Sequence, residues 1–218
     1  IGGGPAGIMA AGRAAEFGGN VVLIEKNKNL GRKLLITGKG RCNITQAEFD
    51  DQEFIKALGK KGKFLFSSIN AFGPKEVIEF FEKRGLKTKT ERGGRIFPVS
   101  NRAADTMDVL ADYLKKNNVK ILLDRKVLGF GFTKEKIKNV KLKNENIFAD
   151  KFILAVGGKA YPATGSTGDG YEWVKELGHT IISPEPSLVP IRIKEEWVKD
   201  LQGLSLKNIS INIFQNGK

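Results

Sequence analysis

The chain has 218 residues, of which 40% are hydrophobic and 28% charged, so it predicts one or two packed domains and excludes a disordered chain. Its net charge of +13 would suit nucleic acid, but the lysines are scattered and runs such as 60–63 fit solvated faces, so nucleic acid is not expected to bind. The sequence has no run of roughly 18 apolar residues and no secretory signal, and it contains a single cysteine. These features favour a cytoplasmic protein without a membrane partner.

The two ends of the chain look like interruptions of longer elements. Only Ile1 precedes the first glycine, where a strand is expected, and residues 209–217 alternate like a strand that then enters a turn. We therefore interpret the chain as part of a longer protein.

The first segment predicts a glycine turn, a helix and a strand. The helix spans about 6–17 and ends at two glycines, and its small residues let it lie close to a sheet. Residues 21–24 (VVLI) predict a strand buried on both faces, as in a parallel sheet. Residues 29–46 predict a basic, glycine-rich loop.

The rest of the chain alternates between helical and strand patterns. The segment 50–118 predicts a mostly helical insertion with amphipathic helices over 74–84 and 103–117. After a strand at 121–123, short turn-punctuated runs predict an antiparallel meander within 124–150. Residues 152–156 predict another buried strand, residues 170–177 a helix, and the pattern turns to strands after 184.

The most specific motif lies at the start of the chain. Gly2, Gly4 and Gly7 form G-x-G-x-x-G between the strand remnant and the helix, and Glu25 ends the next strand. The first glycine permits a tight turn, the second lets a pyrophosphate approach, and the third lets helix and strand pack. A carboxylate at Glu25 would accept hydrogen bonds from ribose hydroxyls. The alternative is a glycine-rich turn with an incidental acid.

These patterns predict an α/β fold with a Rossmann-like dinucleotide-binding domain over 1–183, which carries the helical insertion and the β-meander. Residues 184–218 would begin a second, incomplete, β-rich substrate domain. The glycine motif serves NAD and FAD alike. The meander and the sequence 155–158 (AVGG) favour FAD, because both are typical of flavoproteins with two dinucleotide-binding folds, although 155–158 alone also fits a strand-end turn.

Three further segments suggest a family. Residues 31–43 (GRKLLITGKGRCN), 95–98 (RIFP) and 163–170 (ATGSTGDG) resemble the BaiN/YhiN-like family of FAD-binding oxidoreductases, some of which are aminoacetone oxidase-like or NAD(P)/FAD-dependent. The resemblance is strongest over 1–46 and 152–171, and it implies an FAD domain, an inserted β-rich domain and a helical piece. The chain departs from the pattern at Lys39, where a glycine is more usual.

The motif and the resemblance together define the expected FAD site. Basic side chains after the second strand would neutralise pyrophosphate or form a solvated loop, and the loop up to Asn43 would pass the flavin ring or simply stabilise a turn. Val127 would present its backbone to adenine or belong to the strand core, and Asp169 would lie beside the flavin or cap a helix. The site residues are Gly2, Gly4, Pro5, Ala6, Gly7, Glu25, Lys26, Arg32, Lys33, Gly40, Arg41, Cys42, Asn43, Val127, Ala155, Val156, Gly157, Gly158 and Asp169.

Other polar residues carry weaker signals. Cys42 has no second cysteine for disulfide chemistry, so a small loop residue is favoured over a nucleophile. His179 follows a helix end and suits a capping role better than a general base. Arg95 and Arg102 fit ion pairs better than a substrate or a nicotinamide cofactor's phosphates. The sequence predicts no metal site and names no catalytic residue.

The resulting hypothesis is an FAD-dependent oxidoreductase that acts on a small organic substrate by hydride transfer through flavin N5. NAD(P)H and O₂ both stay open as electron partners. Two alternatives stay open as well: a flavoprotein that modifies RNA, and a flavin-binding fragment without activity.

Overall fold

The computed structural model describes residues 1–133, 136–186, 191–204, 206, 209, 210, 212 and 214. The chain divides into two compact units, Ile1–Ile181 and Ile182–Lys218, which are described separately. The first unit contains the following elements in chain order: α1 (Pro5–Glu16), β1 (Val22–Ile24), α2 (Arg32–Gly40), β2 (Thr45–Gln46), α3 (Asp51–Ala57), α4 (Phe66–Ala71), α5 (Pro74–Glu82), β3 (Thr88–Glu91), β4 (Arg95–Pro98), α6 (Ala103–Lys116), β5 (Lys120–Leu122), β6 (Gly129–Phe132), β7 (Ile137–Lys141), β8 (Asn146–Phe148) and α7 (Asp169–Glu176). Short 3-10 helices span Gly62–Leu65 and Pro162–Thr164.

A small parallel sheet carries the glycine turn. Strands β1 and β5 pair in parallel, with Leu23 opposite Ile121. On the other side of β1, the Gly2 N–H donates to the carbonyl oxygen of Ile24 at 2.8 Å. The Ala155 N–H in turn donates to the carbonyl oxygen of Ile1 at 2.8 Å, so the layer runs β5, β1, residues 1–2 and residues 152–156. This order is that of a Rossmann-like half-domain and confirms the predicted fold class.

Residues 152–156 differ from the buried strand that the sequence predicts. They lie extended beside Ile1 without forming a regular strand, and Ile153 is 53% exposed. The Ile1 nitrogen donates to the carbonyl oxygen of Ile153 at 2.7 Å, and the Ala155 N–H donates to the carbonyl oxygen of Ile1, so the segment still lies in the layer.

The basic segment 29–46 is not wholly the loop that its glycines suggest. It contains α2, which starts after Gly31 in the left-handed region (φ 66°) and buries Leu34. The helix is interrupted at Thr37, Gly38 and Lys39, where Lys39 has a φ of 59°. That left-handed backbone is the conformation glycine adopts most easily, so a glycine at position 39 would be less strained than Lys39.

The insertion 50–118 is less helical than predicted, because it holds a β-hairpin. Strands β3 and β4 pair antiparallel around Gly93 and Gly94, whose φ angles of 77° and 73° allow the tight turn. Strand β2 joins the other edge of β4, with Thr45 opposite Ile96. The predicted meander is confirmed: β6, β7 and β8 form an antiparallel sheet in that order.

The second unit is described only in part. Its described residues contain one regular element, a 3-10 helix over Glu196–Leu201. Most of the strand predicted over 209–217 lies outside the described residues, so a β-rich region after 184 stays a prediction. No helix within the described part of the chain has both the length and the apolarity needed to cross a bilayer.

The core lies between α1, α5 and α6, where helices approach closely. Leu110 and Leu114 of α6 and Ile8 of α1 are almost fully buried. Gly12 of α1 faces Tyr113, and a Cβ at position 12 would overlap the phenol ring. The Tyr113 ring also meets Phe80 edge-on at 5.0 Å, so it has little room to move away.

We predict that Gly12→Ala lowers the free energy of unfolding by about 1–2 kcal/mol, because overpacking against Tyr113 outweighs the higher helix propensity of alanine. Chemical denaturation measures this change. Adding Tyr113→Leu, which removes the overlapping ring atoms, should make the double variant more stable than the two single changes predict by addition. A Gly12→Ala protein more stable than the parent would contradict the packing argument.

Candidate functional site

The candidate site is a cleft of about 310 Å³ at the carboxyl ends of the parallel layer. Its walls come from four separate parts of the first unit: the glycine turn, the end of β1 with the start of α2, the segment before the meander, and the loop leading into α7. The lining residues are Ile1, Gly2, Gly3, Gly4, Pro5, Ala6, Ile24, Glu25, Lys26, Asn27, Asn29, Gly31, Arg32, Lys33, Arg125, Lys126, Val127, Ala155, Val156, Gly157, Thr164, Gly165, Ser166, Asp169 and Trp173.

The three motif glycines occupy three different environments. Gly2 has a φ of 102°, and a Cβ there would overlap the carbonyl oxygen of Ala155. A Cβ at Gly7 would overlap the carbonyl oxygen of Gly2, so the third glycine lets α1 pack on the turn. A Cβ at Gly4 would meet no atom within 4 Å, although Gly4 lines the cleft. The open space for a ligand is therefore beside Gly4.

The N-terminus of α1 faces this open space. Gly4 is the N-cap, Pro5 is the first helical residue, and no side chain caps the helix. The free N–H groups of the first turn and the helix dipole therefore present a partial positive charge to the cleft. Such a terminus binds phosphate groups readily.

Glu25 is only 7% exposed and forms the floor of the cleft. Its Oε2 accepts the Gly3 N–H at 2.6 Å, while its Oε1 accepts the Asn27 N–H at 2.7 Å and Asn27 Nδ2 at 2.6 Å. A Cβ at Gly3 would lie 2.9 Å from Glu25 Oε2, so this glycine outside the motif is also required. Gly3 and Asn27 belong to none of the sequence motifs, although Asn27 stands only two residues after the acid.

Lys26 and Asp169 close one side of the cleft. Lys26 Nζ donates to Asp169 Oδ2 at 2.9 Å and to Thr167 Oγ1 at 2.7 Å. The hydrogen bond from Lys26 holds the pKa of Asp169 below its usual value. Asp169 is the first residue of α7, whose N-cap is Gly168 at a φ of 87°, so the capping alternative for Asp169 is wrong.

Arg32 and Lys33 both contact protein groups. Arg32 Nη1 donates to Asn27 Oδ1 at 2.8 Å. Lys33 Nζ donates to the carbonyl oxygen of Ala160 at 2.7 Å and to Ser166 Oγ at 2.6 Å. The lysine thus ties the start of α2 to the loop before α7. Ser166, which lies in the 163–170 segment, is the buried partner in this contact.

The remaining cleft residues lie on opposite walls. Val127 is buried in the meander cluster and also lines the cleft, so both of its expected roles are compatible with its position. Ala155, Val156 and Gly157 line the cleft beside the glycine turn, and a Cβ at Gly157 would lie 2.8 Å from Ser166 Oγ. Gly158 lies just outside the lining.

Gly40, Arg41, Cys42 and Asn43 are not part of this cleft. Arg41 Nη1 donates to both carboxylate oxygens of Glu91, at 2.9 and 3.0 Å, and its guanidinium stacks 4.1 Å from the Phe97 ring centroid. In the amide orientation that satisfies both partners, Asn43 Nδ2 donates to the carbonyl oxygens of Ile96 and Thr45. These side chains hold the 38–43 turn against the β2–β4 sheet.

Cys42 and Asn43 line a second space, which we call the apolar cavity. It has a volume of about 290 Å³ and adjoins the cleft, because Pro5 and Lys33 line both. Its lining residues are Pro5, Met9, Lys33, Leu34, Thr37, Cys42, Asn43, Ile44, Phe72, Val77, Phe80, Phe81, Thr106 and Leu110.

Three other residues singled out from the sequence stay outside both spaces. Arg102 forms an ion pair with Asp105 at 3.5 Å, and Arg95 donates to the carbonyl oxygen of Arg92 at 3.2 Å. His179 lies exposed after α7, and its N–H donates to the carbonyl oxygen of Val174 at 3.0 Å.

The Cys42 thiol is held in its neutral form. Burial raises its pKa, and the neighbouring hydroxyls of Thr37 and Thr106 offset a smaller part of that rise. A raised pKa means that the contribution to stability is fully present below the unfolded thiol pKa of about 8.5 and is lost as the pH rises through the folded value.

We expect iodoacetamide to alkylate Cys42 in the folded protein roughly a hundredfold more slowly than in the unfolded chain at about pH 8, because the thiolate forms only after local opening. Mass spectrometry of timed samples, with and without denaturant, measures both rates. Equal rates would identify Cys42 as an accessible thiolate and would restore a nucleophilic role.

Comparison with known proteins agrees with this geometry. A family model described as HI0933-like protein Rossmann domain matches residues 1–216. The chain is 36% identical over 197 residues to the 3-dehydro-bile acid delta(4,6)-reductase of Clostridium scindens, covering 89% of this chain and 47% of that protein. It is 28% identical over 210 residues to the ribosomal RNA dihydrouridine synthase of Escherichia coli strain K12, covering 94% and 50%.

A solved structure shares the fold. The open conformation of a flavocytochrome c3 fumarate reductase matches with a TM-score of 0.63 at 19% identity, covering 81% of this chain and 39% of that one. The chain spans about half the length of the curated relatives it matches. The family match confirms the resemblance seen in the glycine-rich segments, and the chain belongs to the HI0933-like Rossmann-domain family.

Proposed function

We propose that the cleft binds FAD and that the complete protein is an FAD-dependent oxidoreductase acting on a small organic substrate. The observation that carries the proposal is the open space beside Gly4, bounded by the uncapped N-terminus of α1 and by the Glu25 carboxylate. An anionic pyrophosphate and a ribose hydroxyl are the two chemical groups that such neighbours recognise together.

The residues that line the cleft fit the adenine, ribose and pyrophosphate parts of FAD. The amides of the first turn of α1 would receive the pyrophosphate, and Glu25 would accept from the ribose hydroxyls. The meander start at Val127 would place backbone beside adenine, and Ala155, Val156 and Gly157 would flank the cofactor closely. When bound, FAD would supply hydride transfer at its N5 atom.

The protein's own side chains would enclose the cofactor and exclude water. Lys26 and Lys33 fix the loop before α7 beside the cleft through Thr167, Asp169 and Ser166. The turn that carries Gly40, Arg41 and Asn43 would lie toward the flavin end, where glycines let backbone approach a planar ring. Electrons would come from NAD(P)H.

The names of the relatives suggest the chemistry. One relative is named 3-dehydro-bile acid delta(4,6)-reductase, and two more are named ribosomal RNA dihydrouridine synthase. Both names describe reduction of a ring that carries a carbon–carbon double bond conjugated to a carbonyl. We propose the same reaction class here, with a free small molecule as substrate because the reductase shows the higher identity, 36% against 28–29%.

The direct test is an absorption spectrum of the purified full-length protein, followed by anaerobic titration with NADH and with NADPH. Oxidised-flavin bands are expected, and their bleaching identifies the nicotinamide donor. A protein without flavin bands that also takes up no added FAD would overturn the proposal.

We predict that Gly4→Ala weakens FAD binding at least about tenfold, because its methyl group enters the space left for the pyrophosphate. The same change should cost the apo-protein at most about 1 kcal/mol, since φ is −80° at Gly4 and no protein atom is displaced. Equilibrium dialysis against FAD and thermal unfolding measure the two effects. Gly7→Ala provides the contrast, since its Cβ overlaps the Gly2 carbonyl and should destabilise the fold itself.

A second candidate function, RNA modification, is favoured by one surface. Residues 54–75 contain five lysines and no acidic residue. Phe64 is 90% exposed and Phe66 is 47% exposed, beside the exposed Lys60, Lys61 and Lys63. Exposed aromatic rings among basic residues can stack on unpaired bases.

Filter binding to single-stranded RNA at several salt concentrations tests this candidate. If residues 60–64 contact RNA, replacing Lys60, Lys61 and Lys63 by glutamine should lower the slope of log K against log salt by about 2. The matched control replaces Lys115, Lys116 and Lys120, which are also exposed. Equal effects of the two triple variants would leave only non-specific attraction to a basic protein.

A further inference from the structure

The apolar cavity beside the cleft has one unusual feature, the buried hydroxyl of Thr106 in its wall. It is enclosed by side chains of α1, α2 and α5 and by Thr106 and Leu110 of α6, and most of these are aliphatic or aromatic. Thr106 is 1% exposed, and its Oγ1 makes no hydrogen bond of acceptable geometry, although it lies near the Cys42 thiol. Buried hydroxyls are almost always hydrogen-bonded, so an unpartnered one calls for an external acceptor.

The other polar groups of the cavity wall already have partners. Thr37 Oγ1 donates to the carbonyl oxygen of Leu34 at 2.7 Å, and Lys33 donates to Ala160 and Ser166. The Asn43 amide donates to strands β2 and β4, and burial keeps the Cys42 thiol neutral. The structure describes every residue that lines the cavity, and among them the Thr106 hydroxyl is the buried group that lacks a hydrogen-bond partner.

These properties define the occupant. A neutral ligand suits this wall, because most of it is apolar and its one charged group, the Lys33 ammonium, donates its hydrogen bonds to Ala160 and Ser166. A volume of about 290 Å³ accepts a compound of two or three fused rings. The Thr106 hydroxyl selects a ligand with one acceptor, such as a carbonyl oxygen, at its buried end.

We propose that the apolar cavity binds a neutral, fused-ring ketone whose carbonyl oxygen accepts the Thr106 O–H. Its identification as the substrate's ring system rests on the proposed function, and is supported by the shared wall of Pro5 and Lys33, which places the occupant next to the FAD cleft. The carbonyl of a conjugated enone is a group of this kind.

The test compares 1-indanone with indane, which has the same ring skeleton without the carbonyl. Saturation-transfer NMR titration of the full-length protein is expected to show that indanone binds about fivefold more tightly than indane. Thr106→Val, which keeps the shape and removes the hydroxyl, should abolish that preference and leave indane binding unchanged. Thr106→Ser should retain the preference.

Further variants and FAD complete the experiment. Val77→Phe should weaken the binding of both probes, because the phenylalanine ring would extend into the cavity. FAD added at saturation should change the affinity for indanone by no more than about threefold, through the shared Lys33 wall. Mutually exclusive binding of FAD and indanone would show that the flavin ring occupies the cavity and would overturn the proposal. Equal affinities of the two probes for the parent protein, or an unchanged preference in Thr106→Val, would overturn it as well. If the protein binds indanone through Thr106 but takes up no flavin, the FAD proposal fails while the ketone site stands.

Discussion

The Glu25 carboxylate beneath the glycine turn is the contact on which the rest of the site depends. One of its oxygens accepts the Gly3 N–H and the other accepts two donors from Asn27. These hydrogen bonds fix the turn that aims α1 at the cleft, and they leave Oε2, which has a single donor, able to accept a further hydrogen bond. A ribose would therefore meet a carboxylate whose position is already set, so its binding requires little reorganisation.

The basic residues of the site have a different use from the one their charge suggests. Lys26 donates hydrogen bonds to Thr167 and Asp169, and Lys33 donates to Ala160 and Ser166. The two lysines therefore hold the loop before α7. The direct hydrogen bonds to an anionic cofactor would then come from backbone amides at α1, which are rigid and already oriented. Fixed dipoles of this kind do not depend on freeing a lysine from its partners.

Local spacing predicts some of these features and not others. The turn, helix and acid of the first 25 residues follow from glycine positions and apolar runs, because these residue types stand at short, fixed spacings in one segment of the chain. The hairpin of β3 and β4 was missed because residues 88–91 alternate between polar types and show no buried face. Lys33 and Ser166 are separated by 133 positions, so no pattern near either residue reveals their contact. In the sequence Thr106 is an ordinary helix residue, and only the structure shows that its buried hydroxyl has no hydrogen-bond partner.

The two spaces share Pro5 and Lys33, and this shared wall has a consequence for how the site works. Of Pro5 and Lys33, only Lys33 has a long side chain that can change its conformation. Its ammonium group donates hydrogen bonds to Ala160 and Ser166 in the loop before α7. A cofactor that competes for that ammonium group would release Ala160 and Ser166 and change the wall of the apolar cavity at the same time. The binding of the cofactor and the binding of the ring compound would then be coupled through one side chain. Each ligand would change the other's affinity by the same factor, because one coupling free energy describes both effects.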